Sequence, residues 1–230
     1  LNRESVWVAA IEHLQSQSSE SVEDSGGDEI DADWINIFSS YSNHASSERL
    51  RSLWGRILAG EIRQPGSFAP STLRVISELD AEIARSFEDV VKNRIDRQYV
   101  MKPKDLRNQE LIKYSFLEEC GLLQDVSMGF QLTKTVGDDG FVTMKTDNYF
   151  IRIKQELSKD LKYSGIRITR IGQQLCSILE WDEIGALTEF SSQLSPSSEV
   201  NLYRILDQSP DGHLRGTLVG ELPTGTTLEK

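Results

Sequence analysis

The side chains best suited to chemistry lie close together in the sequence. Arg56, Glu61 and Arg63 run up to a helix end, and Ser67 follows Pro65-Gly66 in the turn beyond it. A serine on a sharp turn resembles a nucleophile, but its hydroxyl needs a neighbouring base. His13, His44 and His213 are the only histidines, and none stands in a triad context. His44 could approach the turn, yet Asn43-His44 reads as an ordinary helix end. Ser67 is therefore expected as a turn or capping hydroxyl. Five positions separate Arg56 from Glu61, off the i, i+4 spacing of a helical pair. They are expected to form a buried ion pair, or to leave Glu61 capping the following turn, rather than to catalyse. Structural networks perturb charges as catalytic ones do.

A second group is basic. Arg94, Arg97, Lys102, Lys104 and Arg107 cluster around Asp96 and Asp105, and Lys113 follows. Lys102, Lys104, Arg107 and Lys113 could meet a phosphate backbone if a helix over 104–120 were a recognition helix; a solvated face is the plainer alternative. The net charge of -11 and pI of about 4.8 oppose approach to a polyanion. No Cys/His cluster has metal spacing. Glu20, Glu23, Asp24, Asp28, Glu29 and Asp31 lack the order of a calcium loop and read as a flexible acidic linker. Gly137-Asp138-Asp139-Gly140 is acidic and would repel phosphate. No catalytic residue, cofactor or metal is expected.

Helical periodicity dominates the first half. Val6, Trp7, Ala10, Ile11 and Leu14 form an apolar stripe over 3–15. A second helix is expected from a cap at Asp33 through Trp34, Ile37, Phe38 and Tyr41. Ser46 or Ser47 caps a third, with Leu50, Leu53, Trp54, Ile57 and Leu58 at i, i+3, i+4, i+7, i+8. Pro65-Gly66 breaks it. Ser71 or Thr72 is expected to cap a fourth, carrying Leu73, Val75, Ile76 and Leu79, and Asp80 a fifth over 81–93. Trp34 and Trp54 are expected to lock the second and third helices together. A helix over 104–120, stopped by Gly121, carries Leu106, Leu111, Ile112, Phe116 and Leu117. Strands are expected over 129–133, 141–144, 149–153 and 165–169, with 137–140 the turn between two of them. A helix over 170–179, another near 184–194, and strands over 200–206 and 214–222 complete the chain.

The expected fold class is α+β: a mainly helical N-terminal module, then a winged-helix-like α+β module. The segments are a short helix and acidic linker over 1–31, the helical motif module over 32–95, and the second module over 96–230. Cys120 and Cys176 sit in apolar runs and read as buried free thiols in a reducing compartment. No apolar run reaches the ~18 residues of a membrane span, and no secretory leader is visible, so a cytoplasmic location is expected. The chain begins at Leu1 and reads as a fragment or processed product.

Leu53, Trp54, Arg56, Ile57, Leu58, Ala59, Gly60, Glu61, Pro65, Gly66, Ser67, Phe68, Thr72 and Leu73 resemble the signature of a bacterial family of unknown function, L-W-x-R-I-L-A-G-E-x-x-x-P-G-S-[FY]-x-x-x-T-L. Gly55 stands where that pattern has Ala. Asp33-Trp34, Glu119-Cys120-Gly121-Leu122-Leu123, and Thr169, Gly172 and Leu175 resemble its further motifs. The resemblance covers about residues 31–180. It implies a fold and a bacterial origin, and it supplies no activity. The helix ending in E-x-G-L-L, a hairpin and a strand running into T-x-x-G-x-x-L also resembles a winged helix.

Three functional readings follow. The first is a non-enzymatic bacterial interaction or regulatory module, set in a defence or stress system, with a protein partner or self-association. The alternative is a winged-helix DNA-binding regulator, disfavoured by net charge. The weakest is a hydrolase built on Ser67. An apolar exposed groove would favour the first and a continuous positive face the second.

Overall fold

The computed structural model describes residues 2–16, 29–95, 97–103, 106, 108–156, 159–195, 198–210 and 212–225. Most of the expected acidic linker lies outside them, as do Lys104 and Arg107. The fold is α+β, helical in its first part and sheet-rich after it.

Helix α1 (Asn2–Ser16) splits its expected stripe. Val6 and Ala10 are buried, while Trp7 and Ile11 face solvent. It packs against α3 (Glu48–Arg63) at Gly55. A Cβ there would lie 2.6 Å from that of Ala9, so the missing side chain is what lets the two backbones meet.

Helix α2 (Ala32–Ser42) is capped by Asp31, not Asp33. One Asp31 carboxylate oxygen accepts the amides of Asp33 and Trp34 at 2.7 and 3.2 Å. Asp33 lies inside the first turn, where a carboxylate favours the positive end of the helix dipole. Ser47 caps α3 as expected, its hydroxyl accepting the Leu50 amide. Helix α4 (Pro70–Glu78) departs from expectation, since neither Ser71 nor Thr72 caps it. Ala69 occupies the cap with no side-chain bond, and Pro70 stands at the helix start, where its fixed φ suits the helix and its missing N–H is no loss. Helix α5 (Ala81–Val91) takes Asp80 as its cap.

The second part is built around one strand. Strand β6 (Leu161–Ile168) pairs antiparallel with β1 (Tyr99–Met101), β2 (Leu123–Gln124) and β3 (Phe130–Lys134), with Val100 opposite Ile166 and Leu132 opposite Tyr163. Helix α6 (Asn108–Glu119) lies between β1 and β2 in sequence. A second antiparallel sheet runs β4 (Phe141–Lys145), β5 (Tyr149–Lys154), β7 (Val200–Gln208), β8 (Leu214–Glu221). Helices α7 (Arg170–Cys176) and α8 (Glu183–Ser192) sit in sequence between β6 and β7. The turn at Gly137–Gly140 is present, its Gly140 amide donating to the Gly137 carbonyl at 2.9 Å. It joins β3 and β4, which belong to different sheets.

Two cores result. The first joins Val6, Trp34, Phe38, Trp54, Ile57 and Leu73 to Leu117, Leu122, Ile166, Ile168 and Leu175. The second holds Val142, Ile151, Ile153, Leu187, Phe190 and Leu202. Strand β6 serves both, with Ile166 and Ile168 in the first and Leu161 in the second. Among the described residues, no helix is long and apolar enough to cross a membrane.

Candidate functional site

The motif stretch is an architectural device. Leu53, Trp54 and Leu58 are buried on α3, and Trp54 meets the Phe38 ring edge-on at 5.4 Å. Trp34 stacks on Phe38 at 5.1 Å, and its indole N–H donates to the Phe68 carbonyl at 2.7 Å. Glu61 is 2% exposed, and among the described residues its carboxylate forms no ion pair with a guanidinium. Its two carboxylate oxygens accept the Gly66 and Phe68 amides at 2.6 and 2.9 Å. Of the two readings left open, capping of the following turn is the one found. Pro65 starts that turn and Gly66 adopts φ +85°, a conformation other residues rarely take. Gly60 leaves room for the Phe68 ring.

Arg56 bridges elsewhere. It donates to the Ile178 carbonyl at 3.2 Å and pairs with Glu88 at 3.4 Å, while Arg49 takes the other Glu88 oxygen. Burial pulls the Arg56 guanidinium below its ordinary pKa. The Ser67 hydroxyl donates to the Gln64 carbonyl at 2.6 Å, as a turn hydroxyl does. Thr72 is fully buried and donates to Gln174 Oε1, which also accepts the Ala69 amide at 3.1 Å. Leu73 beside it is core. The motif thus ties α4 to α7.

Sequence reasoning counted Arg94 only as part of a basic segment. Its side chain is buried and donates to the carbonyls of Val91 (2.9 Å), Glu180 (3.3 Å) and Cys176 (3.2 Å). Val91 and Cys176 end α5 and α7, so one cation serves two helix C-termini, where the dipole favours positive charge. The guanidinium lies over the Trp181 ring at 4.4 Å, and the Trp181 indole donates back to the Arg94 carbonyl at 2.8 Å.

The basic residues singled out for nucleic acid part company. Lys102 Nζ is engaged by the Ser127 carbonyl at 2.6 Å. Lys113 lies on α6 in a groove against α5. Lys104 and Arg107 are outside the described residues.

That groove is the feature the sequence hid. Along α6, Tyr114 and Leu117 are buried, whereas Ile112 and Phe116 are 56% and 53% exposed. With Ile83 and Leu117 they line a hollow of about 400 Å³, edged by Asp80, Glu82, Ser86, Gln109 and Lys113. The signal was the spacing: 112 and 116 form one stripe, 114 and 117 another, more than a single buried face needs. Cys120, just past α6, has its thiol pKa raised by burial and then by Asp80, Glu119 and Glu78. Among the described residues, no group of three or more His, Cys, Asp or Glu is placed to hold a metal.

The fold is that of an α+β protein with a capped helical turn and an exposed apolar groove. Residues 2–104 match the model of a family described as a protein of unknown function (DUF2806), a span that includes the whole of the 53–73 motif. No curated protein and no solved structure matches the chain.

Proposed function

We propose that this chain is a non-enzymatic interaction module that presents the outer face of α6 to a protein partner. One observation carries the reading: Ile112 and Phe116, a helical turn apart, stand exposed on a helix otherwise anchored in the core. Two large apolar side chains side by side in water leave solvation free energy that a partner recovers on docking. The helix also bears Glu110, Glu118 and Glu119 against Lys113, the wrong balance for a helix entering a DNA groove. A bacterial origin, a cytoplasmic location, a regulatory role and a defence or stress setting complete this reading, on the motif's resemblance and the absence of any long apolar run.

A second reading, a winged-helix DNA-binding regulator, is favoured by the first sheet. Its central strand β6 is last in sequence and lies between β1 and β3, with α6 leading into the β2 and β3 side. That is the strand order of a winged helix.

Paired measurements separate the two. In affinity capture with parent and Phe116→Ser proteins as baits, proteins held by the parent and lost from the variant are expected. Labelled duplex DNA should show no anisotropy change at low or physiological salt. Micromolar duplex binding that weakens steeply with salt, and that is lost on replacing Lys102, Lys104 and Arg107, would replace the first reading by the second.

A further inference from the structure

We infer that the groove between α5 and α6 receives a basic amphipathic helix, an inference that rests on the protein-binding reading above. The groove is floored by Ile83, Ile112, Phe116 and Leu117. Residues 109–117 give its α6 wall a length of about 12 Å, enough for about two turns of a docked helix. Ile112 and Phe116 repeat at one turn, so a partner helix meets them with its own i, i+3 or i, i+4 apolar pair, the usual way a helix fills a groove between helices.

Charge at one end sets the partner's sign. The Asp80 carboxylate accepts the Glu82 and Ile83 amides at 2.8 Å each, and Glu82 stands beside it in the lining. Helix α6 ends at the same place, with Glu118 and Glu119 in its last turn and no base there. Its terminal carbonyls add the negative end of the α6 dipole, while the Asp80 carboxylate offsets the positive end of α5 that it caps. Glu78, Asp80 and Glu119 all bear electrostatically on Cys120, which puts three carboxylates near this end. Arg74 neutralises one of them, pairing with Glu78 at 3.2 Å. Among the described residues, Lys113 is the single cation in the lining. A second copy of the chain would bring a net charge of -11 and the same acidic end, and the chain's own 20–31 stretch is acidic throughout. Both are repelled. A segment with apolar residues on one face and Lys or Arg at its flank is complementary in shape and sign.

The test uses a designed, fluorescently labelled peptide of about 15 residues with leucines on one helical face and lysines on the other, and a twin with glutamates in place of the lysines. Anisotropy is read with the whole chain at about 50 and about 300 mM salt. The lysine peptide is expected to bind and the glutamate twin to bind at least about tenfold more weakly. Ile112→Ser and Phe116→Ser should each weaken the lysine peptide about tenfold, as loss of an apolar anchor does. Both positions are exposed, so the variants are expected to keep the parent's circular dichroism and melting temperature. Glu82→Lys should weaken the lysine peptide and strengthen its twin. Binding indifferent to Ile112→Ser and Phe116→Ser would be unspecific attraction to an acidic chain and would overturn the inference, as would preference for the glutamate twin. Binding of neither peptide also overturns it. Capture that still depends on Phe116 would then leave the protein-binding reading standing, and capture independent of Phe116 would remove both.

Discussion

Glu61 and Phe68 are joined across the turn between α3 and α4: the Phe68 amide donates to Glu61 Oε2 at 2.9 Å, and the Phe68 carbonyl beyond it accepts the Trp34 indole N–H. One carboxylate thereby fixes a turn, and the turn fixes a tryptophan of the neighbouring helix.

Replacing Glu61 should therefore unfasten three elements at once. In Glu61→Ala the Gly66 and Phe68 amides lose a charged acceptor in a buried setting, at a cost of about 3 kcal/mol. For a chain of this length that is a fall in melting temperature of about 6–12 °C. Glu61→Gln should recover only part of it, since the amide group turns a donor toward one of the two N–H groups. Differential scanning calorimetry on both variants reads this directly. An unchanged melting temperature in Glu61→Ala would mean that the turn holds itself.

Arg94 makes a comparable prediction for the junction of α5 and α7. Arg94→Met keeps the side chain's bulk near Trp181 but takes the guanidinium away from the carbonyls of Val91, Cys176 and Glu180, leaving the first two only the backbone amides of Arg94 and Leu179. A loss of about 3 kcal/mol is expected. Arg94→Lys should fail to rescue, because a compact ammonium cannot span three carbonyls as the planar fork does. Chemical denaturation of the three proteins tests this, and a lysine variant as stable as the parent would refute the clamp.

Cys176 gives the chain an alkaline limit. Burial pushes its thiol up to about 11, against a smaller opposing pull from Arg94. In the unfolded chain the thiol has an ordinary pKa of about 8.5. Between those two values the native state holds a proton that the unfolded chain gives up, so stability is full below the lower value and falls as pH rises through the higher. The Tyr114 hydroxyl, also raised by burial, adds to the fall at higher pH. Unfolding free energy measured from about pH 8 to pH 11 should decline in the parent and decline less steeply in Cys176→Ala. Parallel curves would show that this thiol titrates as an exposed one.

Much of this was legible in local residue chemistry. Ser47 and Asp80 announce their helices, and Pro65-Gly66 announces the turn, because caps and breakers act within a few positions of themselves. The errors at Asp33 and at Ser71 or Thr72 share a cause. Several capping residues stood within two or three positions of each start, and backbone geometry chose Asp31 in one case and Ala69 ahead of Pro70 in the other. Strands β1 and β2 span three and two residues, too few to show a period. Sheet membership was not legible at 137–140, since the turn looks the same whether or not its strands pair. The roles of Arg94 and Arg56 were hidden because most of their partners, the carbonyls of Cys176, Glu180 and Ile178 and the Glu88 carboxylate, lie far along the chain, where no local spacing advertises them. Gly55 was visible as a departure from the pattern that the motif resembles, but its meaning depends on Ala9 of a helix that only packing brings near. The groove on α6 was hidden for the converse reason: Ile112 and Phe116 read as core until the element that fails to cover them is known.

The position of β6 at the centre of its sheet bears on how the chain is made. Among the described residues, every partner of β6 leaves the ribosome before it does, and none of them pairs with another in that sheet. Val100 must wait for Ile166 and Leu132 for Tyr163, so the first sheet forms only after residues 161–168 have emerged. Until then Leu117 and Leu122 lack Ile166 and Ile168, the neighbours that close the first core. A nascent chain halted short of Leu161 thus holds its first six helices and the β4–β5 pair with one wall of the first core missing, the state most exposed to unwanted association during synthesis.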